Sequence, residues 1–375
     1  MIYKEFKGKQ LSALGLGAMR LPTVAGEPHR IDEQAAAEMV AYAMEKGINY
    51  YDTAWGYHGG QSEPVMGKIL SAYPRDSFYL ASKFPGYDLA NMDKVEEIFE
   101  KQLQRCRVDH FDFYLIHNVC EMNIDAYLDE KYGIYQYLMA QKAAGRIRHL
   151  GFSAHASLDT MRRFLAVYGK DMEFGQLQIN YLDWTYQNAK EKVDLLREWG
   201  IPVWVMEPVR GGKLANVGDG YVEAFAKIRP QESPVSMAFR FLQSVPEVIV
   251  TLSGMSNMQQ LTENIVTYET EKPLNGMEFE RLLAVAADML KNLVPCTTCR
   301  YCTEYCPQGL DIPRLIKLYN EHAFTGGGIV AAKVLGKIDA GKRPDNCVGC
   351  RSCEAVCPQN IKISEIIADF NRRAQ

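Results

Sequence analysis

Along roughly the first 290 residues, short β-rich apolar runs alternate with longer runs whose apolar residues recur every three or four positions. That is the pattern of a strand followed by an amphipathic helix. Strands are predicted at 14–19, 48–52, 78–83, 111–117, 147–153, 174–179, 202–207 and 247–252. The helices between them carry their own punctuation. Asp32 stands as an N-cap before a stripe of Ala36, Met39, Val40 and Ala43, and Gly47 stops that run. Asn91 is placed as the cap of the run bearing Val95, Ile98 and Leu103, and a later run ends at Gly200 before Pro202. The strands are too apolar for a sheet with one wet face, and eight strand–helix units in about 250 residues fit a closed parallel (β/α)8 TIM barrel. An open doubly wound sheet is the runner-up, but no G-x-G-x-x-G follows the first strand. Gly15-Leu16-Gly17 reads only as a place for the chain to turn into the barrel.

Past this region the periodicity gives way to a duplicated cysteine pattern. Cys296, Cys299, Cys302 and Cys306 precede Pro307, and Cys347, Cys350, Cys353 and Cys357 precede Pro358, each run reading C-x2-C-x2-C-x3-C-P. Every cysteine of the second run lies 51 residues after its counterpart, and Arg300 with Arg351 and Gln308 with Gln359 recur in step. Structural zinc uses ligand pairs separated by a longer loop, whereas this spacing is the bacterial ferredoxin pattern for 4Fe–4S clusters. That pattern sends the fourth cysteine of each run to the other cluster. The expected ligand sets are therefore Cys296, Cys299, Cys302 with Cys357, and Cys347, Cys350, Cys353 with Cys306. Between the runs, helical stretches at 313–324 and 331–339 flank a flexible Gly326-Gly327-Gly328. The expected tail is a small helical di-cluster ferredoxin-like domain at 294–375, behind a barrel at 1–293. Cys106 and Cys120 are read as packing residues.

The bulk numbers exclude other classes. No apolar run approaches the roughly 18 residues of a membrane span. Net charge is −4. From Val294 onward there are 11 Lys+Arg against 8 Asp+Glu, or +3, leaving −7 for the rest. A +3 tail is far from the basic stripe that nucleic acid needs, and it sits beside clusters whose cores are anionic. Eight cysteines spaced as ligands, and an opening Met1-Ile2-Tyr3-Lys4 without an apolar leader, place the protein in reducing cytoplasm.

Side chains at the carboxyl ends of barrel strands converge on one mouth. Asp52, Lys83 and His117 close the second, third and fourth strands, and Tyr57 follows Asp52 closely. A phenol titrates near pH 10, and an adjacent ammonium is expected to lower it toward the working range. Asp52 would keep Lys83 charged, and His117 would orient a carbonyl oxygen beside the Tyr57 hydroxyl. Trp55, Phe84 and Trp184 are expected near the mouth, favouring an apolar or aromatic carbonyl. His58 and His155 are read as polar lining.

Asp52-Thr53-Ala54-Trp55-Gly56-Tyr57, Ser82-Lys83 and Phe113-Tyr114-Leu115-Ile116-His117 resemble the catalytic motifs of the aldo/keto reductases, in the same chain order over about residues 1–272. The whole chain resembles the bacterial branch of that family with a C-terminal 4Fe–4S domain. The resemblance implies hydride transfer from NADP or NAD, in reduced form, to a small carbonyl, with Tyr57 as general acid and Asp52, Lys83 and His117 beside it. It also implies that Ser153 and Gln176 hold the nicotinamide carboxamide, Ala154 standing where an asparagine is usual. Met206 stands where a stacking aromatic is usual. Gly254, Ser256, Gln260, Glu263 and Asn264 correspond to the clamp on the adenosine phosphate and adenine. Gln260 replaces the common arginine, so the choice between the two nucleotides stays open. Glu207 replaces a small hydroxyl residue near the pyrophosphate, where a carboxylate repels phosphate unless Lys213 or Arg210 neutralises it. Hydride carries two electrons and a cluster one, so direct exchange would need a mediator such as flavin; otherwise the clusters exchange single electrons with substrate and an external ferredoxin, or serve a structural or regulatory role. The alternative function is a non-catalytic electron relay whose barrel docks a redox partner.

Overall fold

The computed structural model describes residues 1–27, 30–291, 293–296, 300–325, 334–336, 338–357 and 359–373. The chain divides into two units, Met1–Val285 and Ala286–Gln375. In the first, strands β3 (Leu14–Gly17), β4 (Tyr50–Asp52), β5 (Tyr79–Pro85), β6 (Phe111–Val119), β7 (Ile147–Ala154), β8 (Gly175–Gln178), β9 (Val203–Met206) and β10 (Val248–Ser253) pair in parallel, and β10 closes on β3. All eight predicted strands are present in the predicted order.

The register fixes what reaches the carboxyl end. Gly17 lies opposite Asp52, Pro85 opposite His117, Ser153 opposite Gln176, and Gln178 opposite Met206. The other end is closed by an antiparallel hairpin that the sequence reading did not anticipate, β1 (Tyr3–Phe6) with β2 (Lys9–Ser12). Its Phe6 packs edge-on against Trp204 and His149, each with ring centroids 5.1 Å away. These rings belong to an apolar plug with Phe113, Phe174 and Val250. Gly15 serves this packing rather than a turn. A Cβ there would sit 2.8 Å from Leu252 and 3.0 Å from Val250.

Helix punctuation is followed with one exception. The Asp32 carboxylate accepts from the Ala35 N–H at 3.0 Å and starts the helix Glu33–Glu45, which buries Ala36, Met39, Val40 and Ala43. Gly47 and Gly200 take the left-handed backbone that ends their runs. Asn91 is not the cap of the helix Val95–Cys106. Its side chain instead donates to the Pro85 carbonyl at 3.0 Å, and Lys94 occupies the cap position without a side-chain bond.

The second unit folds as the repeat its sequence announces. Arg300 and Arg351 both adopt left-handed backbone, and each opens a one-turn helix, Tyr301–Glu304 or Ser352–Ala355, that carries a buried cysteine, Cys302 or Cys353. The longer helices Ile312–Thr325 and Ile363–Arg373 supply the core: Leu315, Ile316, Tyr319, Ile363, Ile367 and Phe370. Tyr319 donates to Asp369 at 2.8 Å across them. Cys299, the triple glycine 326–328 and part of the predicted stretch 331–339 lie outside the described residues.

Candidate active site

Strand alternation puts Lys83 inside the barrel, fully buried, at the carboxyl end of β5. Its ammonium donates to the Asp52 carboxylate at 2.5 Å and to the Thr53 carbonyl at 2.8 Å, and lies 3.4 Å from the Tyr57 hydroxyl. Tyr57 comes off β4 on a tight turn, Tyr57–Gly60, in which His58 and Gly59 take positive φ. His117 completes the set from β6. Its carbonyl is fixed by the Tyr127 hydroxyl at 2.5 Å and the Gly86 N–H at 2.8 Å, while its ring Nδ1 is buried with no partner. The four predicted residues therefore meet at one mouth.

Burial alone would strip Lys83 of its proton, but Asp52 and Tyr57 outweigh it and hold the ammonium above its usual range. Burial raises Asp52, and Lys83 opposes that. For Tyr57 the expected direction is reversed. Desolvation outweighs the pull of Lys83, and Asp52 adds to it, so the phenol stands above its ordinary value rather than below. His117 is driven well below the usual imidazole range by burial, then by the Lys83 charge and His155. At neutral pH the mouth thus presents a protonated phenol, an ammonium and a neutral imidazole.

Ser153 and Gln176 are paired across β7 and β8, both buried, and the Ser153 hydroxyl and the Gln176 amide oxygen have no protein partner. Buried polar atoms without partners are rare, so this pair forms a ready cradle for a planar amide. The Gln176 amide N–H points at the Met206 sulfur, 3.7 Å away. The segment after β10 is more self-contained than expected. The Ser256 N–H is taken by the Gln260 side chain at 2.8 Å, the Gln260 N–H by Asn257 at 2.9 Å, and Asn264 reaches Ser253 at 3.2 Å. Glu263 is exposed and accepts from Gln259. Gly254 packs against the Arg20 stem, whose carbonyl accepts from the Ser256 hydroxyl at 3.0 Å.

Glu207 is opposed by both Arg210 and Lys213, and a third cation joins them. Burial raises its carboxyl, and the strongest opposing charge is Arg20, ahead of Arg210 and Lys213. Arg210 is turned to the fully buried Asp183, at 3.1 and 3.2 Å. A Cβ on Gly211 would lie 3.1 Å from Arg20 Nη2 and 3.5 Å from Glu207 Oε2. Arg20 was legible only as the residue just past the first strand.

The aromatic lining is corrected. Phe84 is wholly buried against Tyr127, Trp184 packs edge-on against Phe241 and Phe279, and Trp55 lies under the Arg105 guanidinium, 3.9 Å from its centroid. Packing against neighbours accounts for Phe84 and Trp184, while Trp55 stays partly exposed. The exposed ring at the mouth is Tyr87, missed in the sequence, edge-on to His117 at 5.4 Å and closing on Gly56.

In the second unit, Cys306, Cys347, Cys350 and Cys353 line one pocket, walled by Leu310, Ile312, Ile363 and Ile367. This is one of the two expected sets, with the fourth cysteine of the first run crossing to the second. Of the other set, Cys296, Cys302 and Cys357 pack on the same core. Cys106 and Cys120 are buried in the barrel unit, and burial raises both thiols.

The eight-stranded parallel barrel with this mouth is that of an oxidoreductase. The aldo/keto reductase family profile matches residues 13–287, and the chain belongs to that family of NAD(P)H-dependent oxidoreductases. A 4Fe-4S dicluster domain profile matches residues 295–362. Similar proteins include a probable aldo-keto reductase 1 of Glycine max, 27% identical over 69% of this chain and 81% of its own length. The NADH-specific methylglyoxal reductase of Escherichia coli is 27% identical, over 68% of this chain and 89% of its own. Among solved structures, the aldo-keto reductase AKR11C1 of Bacillus halodurans in its holo form aligns with TM-score 0.61 at 23% identity, over 76% of this chain and 96% of that one. A Klebsiella pneumoniae aldo/keto reductase in complex with NADP and acetate aligns at 0.60 and 17% identity, over 75% and 93%. These two likenesses concern the fold alone. Among the described residues, no helix is long and apolar enough to cross a membrane.

Proposed function

We propose that the protein reduces a small aldehyde or ketone at the barrel mouth with Tyr57 as general acid, and that the tail carries two 4Fe–4S clusters. The observation that carries this is the Lys83 ammonium, buried beside Asp52 and 3.4 Å from the Tyr57 hydroxyl. A phenol raised by burial keeps its proton through the neutral range, and an alkoxide is basic enough to take it. Lys83 then stabilises the phenolate left behind, and Asp52 holds Lys83 charged. The neutral His117 ring would offer an N–H to the carbonyl oxygen. Ser153 and Gln176 would hold the nicotinamide amide, Met206 would cover a ring face, and Gly254, Ser256, Gln260, Glu263 and Asn264 would border the adenosine end. The bound nucleotide, NADP or NAD, supplies the hydride.

In the tail, Cys347, Cys350, Cys353 and Cys306 would hold one cluster and Cys296, Cys299, Cys302 and Cys357 the other; such clusters carry single electrons. An external one-electron carrier such as a ferredoxin fits that role, in a reducing cytoplasm. The relatives named for methylglyoxal and L-galactose act on small oxygenated compounds. With Phe84 and Trp184 withdrawn into packing, a small polar carbonyl suits this mouth better than an aromatic one.

The test uses anaerobically purified full-length protein. Reduced nucleotide should be oxidised with at least one member of an aldehyde panel, and Tyr57→Phe should cut that turnover about 10³-fold. Activity that survives Tyr57→Phe unchanged sinks the reading. Iron analysis should return about eight irons per chain, and stoichiometric zinc instead would overturn the clusters.

A further inference from the structure

Behind the strand that carries Lys83 lies a carboxylate the chemistry above does not use. Glu63 opens the helix Ser62–Leu70 and is wholly inaccessible to solvent. One of its oxygens accepts from the Ser82 hydroxyl at 2.7 Å and from the Gln102 amide at 2.6 Å. Ser82 precedes Lys83, so strand alternation turns it to the outer wall while Lys83 faces in. Gln102 also donates to the Lys83 carbonyl at 3.0 Å and accepts from the Tyr114 hydroxyl at 2.6 Å. The other Glu63 oxygen meets Arg105 at 3.4 Å, and the Arg105 guanidinium lies on Trp55, two residues before Tyr57. Ser62, its neighbour, bonds the Thr53 hydroxyl at 2.9 Å, and the Thr53 carbonyl is itself a Lys83 partner.

A carboxyl is an expensive way to fill a space between barrel wall and helix, since an apolar side chain of similar size packs there without desolvation. What the carboxyl adds is direction: one side chain fixes both the strand bearing the ammonium and the loop bearing the phenol. We propose that Glu63 is a positioning residue that sets the Tyr57–Lys83 contact from outside the barrel. The inference rests on Tyr57 being the proton donor.

The experiment compares Glu63→Ala and Glu63→Gln in full-length, cluster-loaded protein. Glu63→Ala should lower kcat about tenfold or more while KM for the reduced nucleotide moves less than about threefold. Glu63→Gln should return to within about threefold of the parent, because its amide oxygen still accepts from Ser82 and Gln102. In a Tyr57→Phe background, Glu63→Ala should cost less than about threefold further, since both act through one contact. Ser82→Ala, which removes only a hydroxyl, is the second variant should Glu63→Ala fail to fold, and it should show the same split at smaller size. Crystal structures give a readout apart from turnover: in Glu63→Ala the Tyr57 hydroxyl should leave hydrogen-bonding distance of the Lys83 ammonium, and in Glu63→Gln it should stay. Unchanged kcat with that contact retained, or equal losses for alanine and glutamine, overturns the proposal. If the parent protein reduces no carbonyl, the proposed function fails on its own, and the crystal structures still decide what Glu63 holds.

Discussion

At the residue scale, the mouth works by opposing terms of similar size. Tyr57 is pushed up by burial and pulled down by Lys83, and burial prevails, so the phenol is a proton reservoir rather than a partly ionised base. Carbonyl reduction should therefore run level through neutral pH and decline only on the alkaline side, as Tyr57 loses its proton above the ordinary phenol value near 10. His117 is held neutral far below its usual range, so no acid limb should appear near pH 6.5. A pH profile of kcat checks both arms. Tyr57→Phe should cost about 10³-fold in kcat, within the span typical of a lost general acid. The positions of these residues were legible because strand ends converge in a barrel. Their electrostatics were not, because a sequence shows that Lys83 exists but not how completely the pocket excludes water. At Glu207 the same holds: Arg210 and Lys213 both oppose its charge, but the fold pairs Arg210 with Asp183 and brings in Arg20, distant in sequence, as the strongest opposing charge.

At the element scale, helices meet the barrel through close approaches that a periodicity cannot foretell. Gly67, in the helix Ser62–Leu70, faces the end of the helix Val95–Cys106. A Cβ there would stand 2.4 Å from the Arg105 carbonyl and 2.6 Å from the Cys106 carbonyl carbon. Backbone cannot rotate away as a side chain can, so Gly67→Ala should cost roughly 2–3 kcal/mol, read as a lower midpoint in denaturant with unchanged slope. The missed hairpin teaches a similar lesson, since Phe6 makes sense only once Trp204 and His149 form a floor beneath it. That floor is charged at its edge. Burial works to raise Glu173, but His149, Lys142 and Lys7 hold it well below the usual carboxylate range. Its folded pKa is depressed, so its stabilisation is present above the unfolded value of about 4.3 and is lost as pH falls through the folded one. Glu173→Gln should lower stability by about 2 kcal/mol at pH 7, and the deficit should shrink in acid. Urea titrations of both proteins across that pH range measure it.

At the scale of the whole molecule, two units with separate cores respond differently to loss of iron. The barrel core is a continuous apolar body sealed by the Phe6 plug. The tail core is small, and several of its members, among them Cys302 and Cys353, belong to the expected cluster ligands. The pocket beside four of its cysteines is walled by Leu310, Ile312, Ile363 and Ile367, which belong to that same core. With the cluster gone, that chamber becomes a void bordered by thiols, and a small domain has little surplus stability to tolerate it. Holo protein gains by the coupling that makes metal binding part of folding free energy. Chelator treatment in air should therefore melt the tail while leaving the barrel's own calorimetric transition in place, along with nucleotide binding followed by protein fluorescence. Limited proteolysis should then trim the chain back toward the helix Gly276–Leu290 and stop there. A tail that keeps its helical circular dichroism and protease resistance without iron would mean that its apolar residues suffice, and that the duplicated cysteines add redox chemistry to a fold already stable without them.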